Sequence, residues 1–516
     1  MKQTFIKGTV ILIAASLISR VLGFIYRIFL SRIIGAEGIG LFQLAFPILI
    51  FIITIVTAGL PIAISKLVAE AVVENAARRV RRILYLSFAI VLTLSAIFTA
   101  ILITYAPYIA SNFLQDERTY YSLIAMAPII TIAAFSSILR GYFQGLQNMN
   151  PTAISQIFEQ IMRIGAVIYF ANLLLPRGVE YAAAGAMIGM ACGELMAFLI
   201  LLIYYLRFRN RSFDSPIRSI TKKQTRRQVL YGIIETAIPV TFSRAIGSFA
   251  YAMEPIIISY SLALAGIATY TATAYYGQLA GMVIPLIIFP TVFTYSLSVT
   301  LIPSISEAKA LEHQKTITMR IKQSIHFTMI IGVYFSVILY TQAELLGQVL
   351  YNQPEIKQSL QLLAPLGILF YLQSPLAGIL QGLGKAKETM FNSLAGSVIR
   401  LGGIYLLASK PNLGITGAVI AIGISAITVT LLHIRSTQKY IPIKYPILDI
   451  LKFIGMTITL FIGSIYLSKL LINLNDFIQL FTILIITLLL YLIMLFCFKM
   501  ITIEDFIRFK LIRRKD

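Results

Sequence analysis

Residues 9–33 read TVILIAASLISRVLGFIYRIFLSRI. The run is long enough to cross a bilayer, which takes about 20 apolar residues, yet Ser19-Arg20-Val21-Leu22-Gly23 stands at its middle and Arg27 follows on the same helix. The setting returns once more: Ser243-Arg244-Ala245-Ile246-Gly247 lies halfway along the apolar run from about Val229 to Ser259. A charged side chain near the bilayer centre costs roughly 2.5–3.5 kcal/mol on insertion scales. Three such charges are hard to explain as packing. They imply a buried or water-filled cavity that receives something negative.

The rest of the chain agrees with a membrane setting. Of 516 residues, 58% are hydrophobic and 12% charged, more apolar surface than a soluble domain of this length hides. The net charge of +22 comes from basic residues concentrated in alternate loops and both tails: about 30 there against about 6 in the other loops, which is the positive-inside asymmetry. That placement points to a cytoplasmic surface facing anionic headgroups and away from nucleic acid. With no tryptophan, the 27 tyrosines must supply any interfacial belt. Cys192 and Cys497 both fall in apolar runs, and His313, His326 and His433 are far apart. There is no metal-ligand spacing, Gly-rich phosphate loop or nucleophile–base constellation, so no cofactor, no metal and no enzymatic chemistry are expected. Met1 to Ser19 has the profile of a secretory leader, but the apolar run continues through Arg20 to spanning length, so this helix is expected to be retained.

Apolar runs predict an all-α polytopic protein of about 14 transmembrane helices, at 9–33, 39–61, 83–110, 120–146, 152–175, 182–206, 229–259, 270–302, 321–342, 358–383, 389–408, 414–434, 447–470 and 477–498. Basic loops such as Arg78–Arg82, Arg207 to Arg227 and Lys309 to Lys322 lie on one side. Both termini fall on that side, expected to be cytoplasmic.

The chain also repeats. Ala127-Pro128, Gly141-x-x-Gln144-Gly145-Leu146 and Arg163-x-Gly165 recur as Ala364-Pro365, Gly378-x-x-Gln381-Gly382-Leu383 and Arg400-x-Gly402, all at an offset of 237 residues. Ser19-Arg20/Ser243-Arg244, Gln43-Leu44-Ala45/Gln278-Leu279-Ala280 and Gly185-Ala186/Gly417-Ala418 follow with small shifts. Helix n thus matches helix n+6, a parallel repeat. The expected division is an N-lobe at 1–208, a basic linker at 209–228, a C-lobe at 229–438, and two added helices with a basic tail at 439–516. A cavity between two such bundles is the usual place for a transported substrate.

Arg20 and Arg27 are seven residues apart, so they share one face about 10 Å apart along the axis. Arginine matches phosphate oxygens well, and this spacing suits a pyrophosphate or extended anionic headgroup. Arg244 is the equivalent in the second half, with Glu235 and Glu254 on its helix as partial neutralisers. Arg163 has Glu159 one turn earlier and is expected to pair with it, whereas Arg400 lacks a local acid and is a substrate-contact candidate. Glu194 has no charged neighbour on its helix: a neutral acid, a partner for an arginine and a proton-coupling group all stay open, and it is counted among the substrate-site residues. Arg140 and Lys66 read as interfacial anchors. The repeated glycines of Gly-x-x-Gln-Gly-Leu read as points of close helix approach.

Ile18-Ser19-Arg20-Val21-Leu22-Gly23-Phe24, with Arg27 and Arg32-Ile33-Ile34-Gly35, resembles the first helix of the lipid-linked oligosaccharide flippases of the multidrug/oligosaccharidyl-lipid/polysaccharide (MOP) exporter superfamily. Pro61-Ile62-Ala63-Ile64-Ser65-Lys66, Arg140-Gly141-Tyr142-Phe143-Gln144-Gly145, Asn148-Met149-Asn150-Pro151 and Glu180-Tyr181-Ala182-Ala183-Ala184-Gly185 are similar to its stage V sporulation protein B branch. The resemblance runs through essentially the whole chain. It implies two six-helix lobes that alternate access and export an undecaprenyl-diphosphate-linked saccharide, with lipid II for spore cortex as the expected cargo. It also implies first-helix arginines lining a cationic cavity and a groove for the lipid tail at helices 13 and 14. The basic pair is often six apart in those flippases and is seven apart here.

The leading reading is therefore a flippase in the plasma membrane, its partners a lipid-linked anionic saccharide and membrane lipids. A polysaccharide repeat-unit exporter is the nearest alternative. A multidrug or cation antiporter of the same superfamily would need a cavity-facing acid as its dominant charge. A non-transporting scaffold would use the basic loops to recruit cell-wall synthases.

Overall fold

The computed structural model describes residues 5–57, 59–74, 76–208, 225–442 and 446–501. Most of the linker expected at 209–228 and the basic tail from Thr502 onward lie outside the described residues. The described chain is helical throughout, with no strand.

The opening apolar stretch forms α1 (Phe5–Thr57), 53 residues long. At 1.5 Å per residue that is about 80 Å, more than twice a bilayer's hydrocarbon core, so α1 holds the first two expected spans. Gly35 separates them, with φ 67° and ψ −174°. Only glycine visits that region freely, and no neighbouring atom would crowd a Cβ there, so the demand is conformational. Thirteen helical stretches among the described residues are long and apolar enough to cross a membrane, the first being the 60 residues Ala14–Val73. Counting that stretch as two crossings gives the fourteen expected.

The next helices are α2 (Leu60–Val73), α3 (Ala77–Tyr108), α4 (Thr119–Gly145), α5 (Asn150–Leu174), α6 (Val179–Phe208) and α7 (Arg226–Leu264). The single span expected at 270–302 is instead broken into α8 (Thr269–Tyr276), a π-helical stretch Gly277–Val283, α9 (Ile284–Ile288) and α10 (Thr291–Ala310). Pro285 and Pro290 explain the breaks: each lacks an N–H for the carbonyl one turn back and clashes with it. The helices after it are α11 (Gln314–Thr341), α12 (Ala343–Leu346), α13 (Lys357–Leu363), α14 (Gly367–Gly382), α15 (Ala386–Ala408), α16 (Gly414–Gln438), α17 (Ile447–Leu470) and α18 (Asp476–Cys497).

Packing divides the chain into two compact units, Met1–Met282 with Leu401–Ala418, and Val283–Arg400 with Val419–Asp516. This partition is drawn differently from the sequence halves, because α7 and α8 pack against α1. Phe51 and Phe249 meet at 5.6 Å, and Thr241 Oγ1 accepts the Gly59 N–H at 3.0 Å. Inside each unit the repeated glycines work alike. In the first, a Cβ at Gly141 or Gly145 would stand 2.7 Å from the Pro61 or Ser65 carbonyl oxygen. In the second, a Cβ at Gly378 or Gly382 would stand 3.0 Å from the Ser298 or Ile302 carbonyl oxygen. Both members of each contact keep the 237-residue offset, so the repeat extends from motif to packing.

In the first unit α6 lays Gly185, Gly189, Gly193 and Ala197, four residues apart, along α5. A Cβ at Gly185 would lie 2.5 Å from the Phe170 carbonyl oxygen, and one at Gly189 2.5 Å from Val167 Cα. Backbones this close leave no room for a side chain. Gly189→Val is therefore expected to lower stability by about 3 kcal/mol through overpacking, read as a lower melting temperature of the purified protein in detergent. An unchanged melt would refute the seam. In the second unit α17 and α18 dock on α11. The Tyr491 hydroxyl donates to the Ile330 carbonyl at 2.7 Å and the Tyr334 hydroxyl to that of Leu484 at 3.0 Å. The Gln342 amide donates to both Ser464 and Ser468 hydroxyls at 2.8 Å.

Candidate functional site

One helix decides the site. On α1 the buried positions include Ala15, Tyr26 and Leu30, while Ile18, Val21, Ile25 and Phe29 are exposed. At about 100° per residue, the buried and the exposed groups centre about 100° apart, and Arg20 and Arg27 lie within about 20° of each other on the remaining side of the helix, about 100° from the packed face and about 155° from the exposed apolar one. Arg20 is exposed and Arg27 half-buried. The two guanidiniums thus share a strip set apart from both the packed face and the apolar outer face. The packed face is polar where it meets α5: Gly23 leaves the Gln160 amide oxygen 3.9 Å from where a Cβ would stand.

Beside that face lies an ion network spanning three helices. The Glu159 carboxylate on α5 is its hub, one oxygen accepting from Arg163 Nη2 at 2.5 Å and the other from Arg140 Nη2 on α4 at 2.8 Å. Arg163 Nη2 also reaches Glu194 Oε1 on α6 at 3.3 Å. Two cations and two anions balance, so the cluster enters the apolar interior as a neutral group, far cheaper than any member alone. The α5–α6 glycine seam fixes its geometry, because Gly193 would place a Cβ 2.9 Å from the Cβ of Arg163.

The pairing of Arg163 with Glu159 is as the sequence predicts. Glu194, open among three roles, is partnered with an arginine. The expected interfacial role of Arg140 needs correction: its guanidinium turns to Glu159, 19 residues away across the α4–α5 turn, because an acid there satisfies it without reaching the headgroups. Buried oxygens of Ser19, Tyr26, Gln156 and Gln160 have no hydrogen-bond partner among the described residues. Sequence reading took Ser19 only as part of the repeated Ser-Arg motif and passed over the other three, whose spacing on α1 and α5 was the available signal.

Arg244 is exposed on α7 and makes no ion pair among the described residues. Glu235 and Glu254, the expected neutralisers, sit nine and ten residues away, about 14 Å along the axis. Lys66 is exposed on α2, as an anchor would be. Arg400 is half-buried on α15, in the second unit. The structure therefore gathers Arg140, Glu159, Arg163 and Glu194 into one cluster, while Arg20 and Arg27 stand together on α1 and Arg244 on α7.

The family described as polysaccharide biosynthesis protein matches residues 5–290. The chain belongs to it. Stage V sporulation protein B of Bacillus subtilis (strain 168) is 39% identical over 99% of this chain and 99% of its own length, which bears out the resemblance read from the motifs. Lipid II flippase MurJ of the same organism is 27% identical, over 78% of this chain and 77% of its own. Among solved structures, lipid II flippase MurJ in its inward closed conformation aligns with TM-score 0.68 at 14% identity, covering 93% of this chain and 97% of that one. An inward-facing multidrug resistance MATE transporter of the MOP superfamily aligns with TM-score 0.65 at 15% identity, covering 82% and 94%. The chain is thus a multi-pass, all-helical membrane protein of the polysaccharide biosynthesis family, with the fold that the MurJ and MATE transporter structures share.

Proposed function

We propose that the chain flips an undecaprenyl-diphosphate-linked saccharide across the plasma membrane by alternating access, with lipid II for spore cortex peptidoglycan as its cargo. The observation that carries this reading is the strip of α1 that Arg20 and Arg27 share, set apart from both its packed face and its exposed apolar face. Two guanidiniums about 10 Å apart suit the two phosphates and first sugar of such a headgroup. Arg244, in the same unit, supplies a third cation, and Arg400 on α15 is a separate candidate for substrate contact. Glu194, already bound to Arg163, holds the packed helices in place and touches the cargo only through that arginine.

The sequence halves 1–208 and 229–438 act as the moving parts, and the polyprenyl tail stays in lipid beside α17 and α18. Both termini face the cytoplasm. A cation antiporter is disfavoured because both membrane-embedded acids of the first half, Glu159 and Glu194, are engaged by arginines. The affinity for cargo must differ between the two access states for net transport.

The test is reconstitution into vesicles with fluorescent lipid II, a second undecaprenyl-diphosphate sugar and an uncharged polyprenyl sugar, each scored for transbilayer movement. Movement of both diphosphates but not the uncharged lipid supports the anion site. Preference for the second diphosphate makes the chain a repeat-unit exporter. Movement of all three, or of none, rejects the reading.

A further inference from the structure

At the end of α3 opposite Arg78–Arg82, the chain passes through Ile109–Phe113 and carries Asp116 and Arg118 into α4. Asp116 is 3% exposed, and both its carboxylate oxygens are in use. Oδ1 accepts the Arg118 backbone N–H at 3.1 Å and its Nε–H at 2.9 Å. Oδ2 accepts Arg118 Nη2 at 2.7 Å and the Thr273 hydroxyl of α8 at 2.7 Å. The remaining arm of Arg118, Nη1, donates to Glu37 on α1, two residues past the Gly35 break. The guanidinium also lies 5.7 Å from the centre of the Tyr270 ring, next to α8's first residue. A single arginine–aspartate pair thus grips α1 with one hand and α8 with the other.

Next to it, α1 and α8 with its π-helical extension meet backbone to backbone. A Cβ at Gly40 would stand 2.1 Å from the Thr273 carbonyl oxygen, one at Gly277 2.0 Å from that of Ala36, and one at Gly281 2.0 Å from Ile39 Cγ2. These two segments carry the matching Gln43-Leu44-Ala45 and Gln278-Leu279-Ala280, so equivalent helices of the two sequence halves are sealed together at one end. The grip is one-sided. At the repeat offset of 237, Asp116 and Arg118 become Gln353 and Glu355, which supply no guanidinium.

We infer that Arg118 and the glycine seam beside it form the outer gate of the transporter, closed in this conformation and released once per cycle. The inference rests on the alternating-access reading and adds the element that holds one access state. Exposed ion pairs contribute little, but Asp116 is buried and Arg118 is held at both ends. Removing ~1.4 kcal/mol from one side of a two-state gate shifts it about tenfold, enough to hold the gate without freezing it.

The test needs no cargo. In a protein carrying Cys192→Ser and Cys497→Ser, Ser31→Cys provides a reporter on α1, buried one turn inside the Gly35 break. Right-side-out vesicles receive a membrane-impermeant maleimide. Glu37→Gln and Thr273→Val each cut one arm of the grip and leave the Asp116–Arg118 pair intact. Each is expected to speed labelling several-fold, and together about tenfold, while inside-out vesicles label no faster. Unchanged outside labelling in the double variant and in both single variants, with melting like the parent, overturns the gate. Equal acceleration from both faces means general loosening and overturns it as well. A labelling shift in a protein that moves no diphosphate lipid would leave the gate standing and reject the cargo.

Discussion

Charge reversal at Arg20 and Arg27 together, Arg20→Glu with Arg27→Glu, is expected to abolish diphosphate-lipid movement. Each charge-assisted contact to a phosphate contributes about 1.5–3 kcal/mol, so losing both costs roughly a factor of 10² to 10⁴ before repulsion is added. Expression and melting temperature are measured alongside, and a loss of movement bears on the anion site in variants that fold like the parent. Arg20→Ala alone should slow flipping about tenfold or more by the same arithmetic. The checks are initial flipping rate in vesicles and restoration of cortex in a strain lacking the protein. A double reversal that still restores cortex would end the cationic-site reading. An Arg20→Ala protein that folds, localises and works normally would leave that arginine a purely structural part.

The largest stability effect is expected at Glu159, not at an arginine. Glu159→Gln leaves Arg140 and Arg163 with Glu194 as their sole carboxylate, an uncompensated charge in the apolar interior worth about 3–5 kcal/mol. Glu194→Gln removes only the longer, 3.3 Å contact and should cost about 1–2 kcal/mol. Adding Arg140→Gln to Glu159→Gln restores the charge balance and should recover part of the loss, a coupling that a double-mutant cycle measures directly. Thermal unfolding of the four proteins in one detergent decides it. Equal losses at Glu159 and Glu194, or no recovery in the double variant, would show that the network is not organised around Glu159.

Much of this was legible in the chain. The spans were, because apolar runs of spanning length are a composition signal. The repeat was, because the glycine and proline positions recur at a fixed offset, and glycines that meet backbone tolerate no replacement. Arg163 with Glu159 was readable as a one-turn pair. The long-range partners were not. Arg118 finds Glu37 across 81 residues and Arg140 finds Glu159 across a turn, contacts that depend on which helices lie side by side. The broken eighth span was under-read for a different reason: its hydropathy is continuous while Pro285 and Pro290 interrupt its hydrogen bonds.

The Arg140–Glu159 pair also bears on how the chain enters the membrane. Helix α4 carries a guanidinium and no acid of its own, so alone in the lipid it would face the full desolvation cost of that charge. Its partner is made only when α5 has been synthesised, 19 residues later. Helix α4 should therefore wait at the insertion machinery and enter the lipid as a neutral hairpin with α5. Biogenesis of the first half then becomes a question of synthesis order, and a Glu159 variant would be inserted less efficiently and made in lower yield, before any cargo is bound.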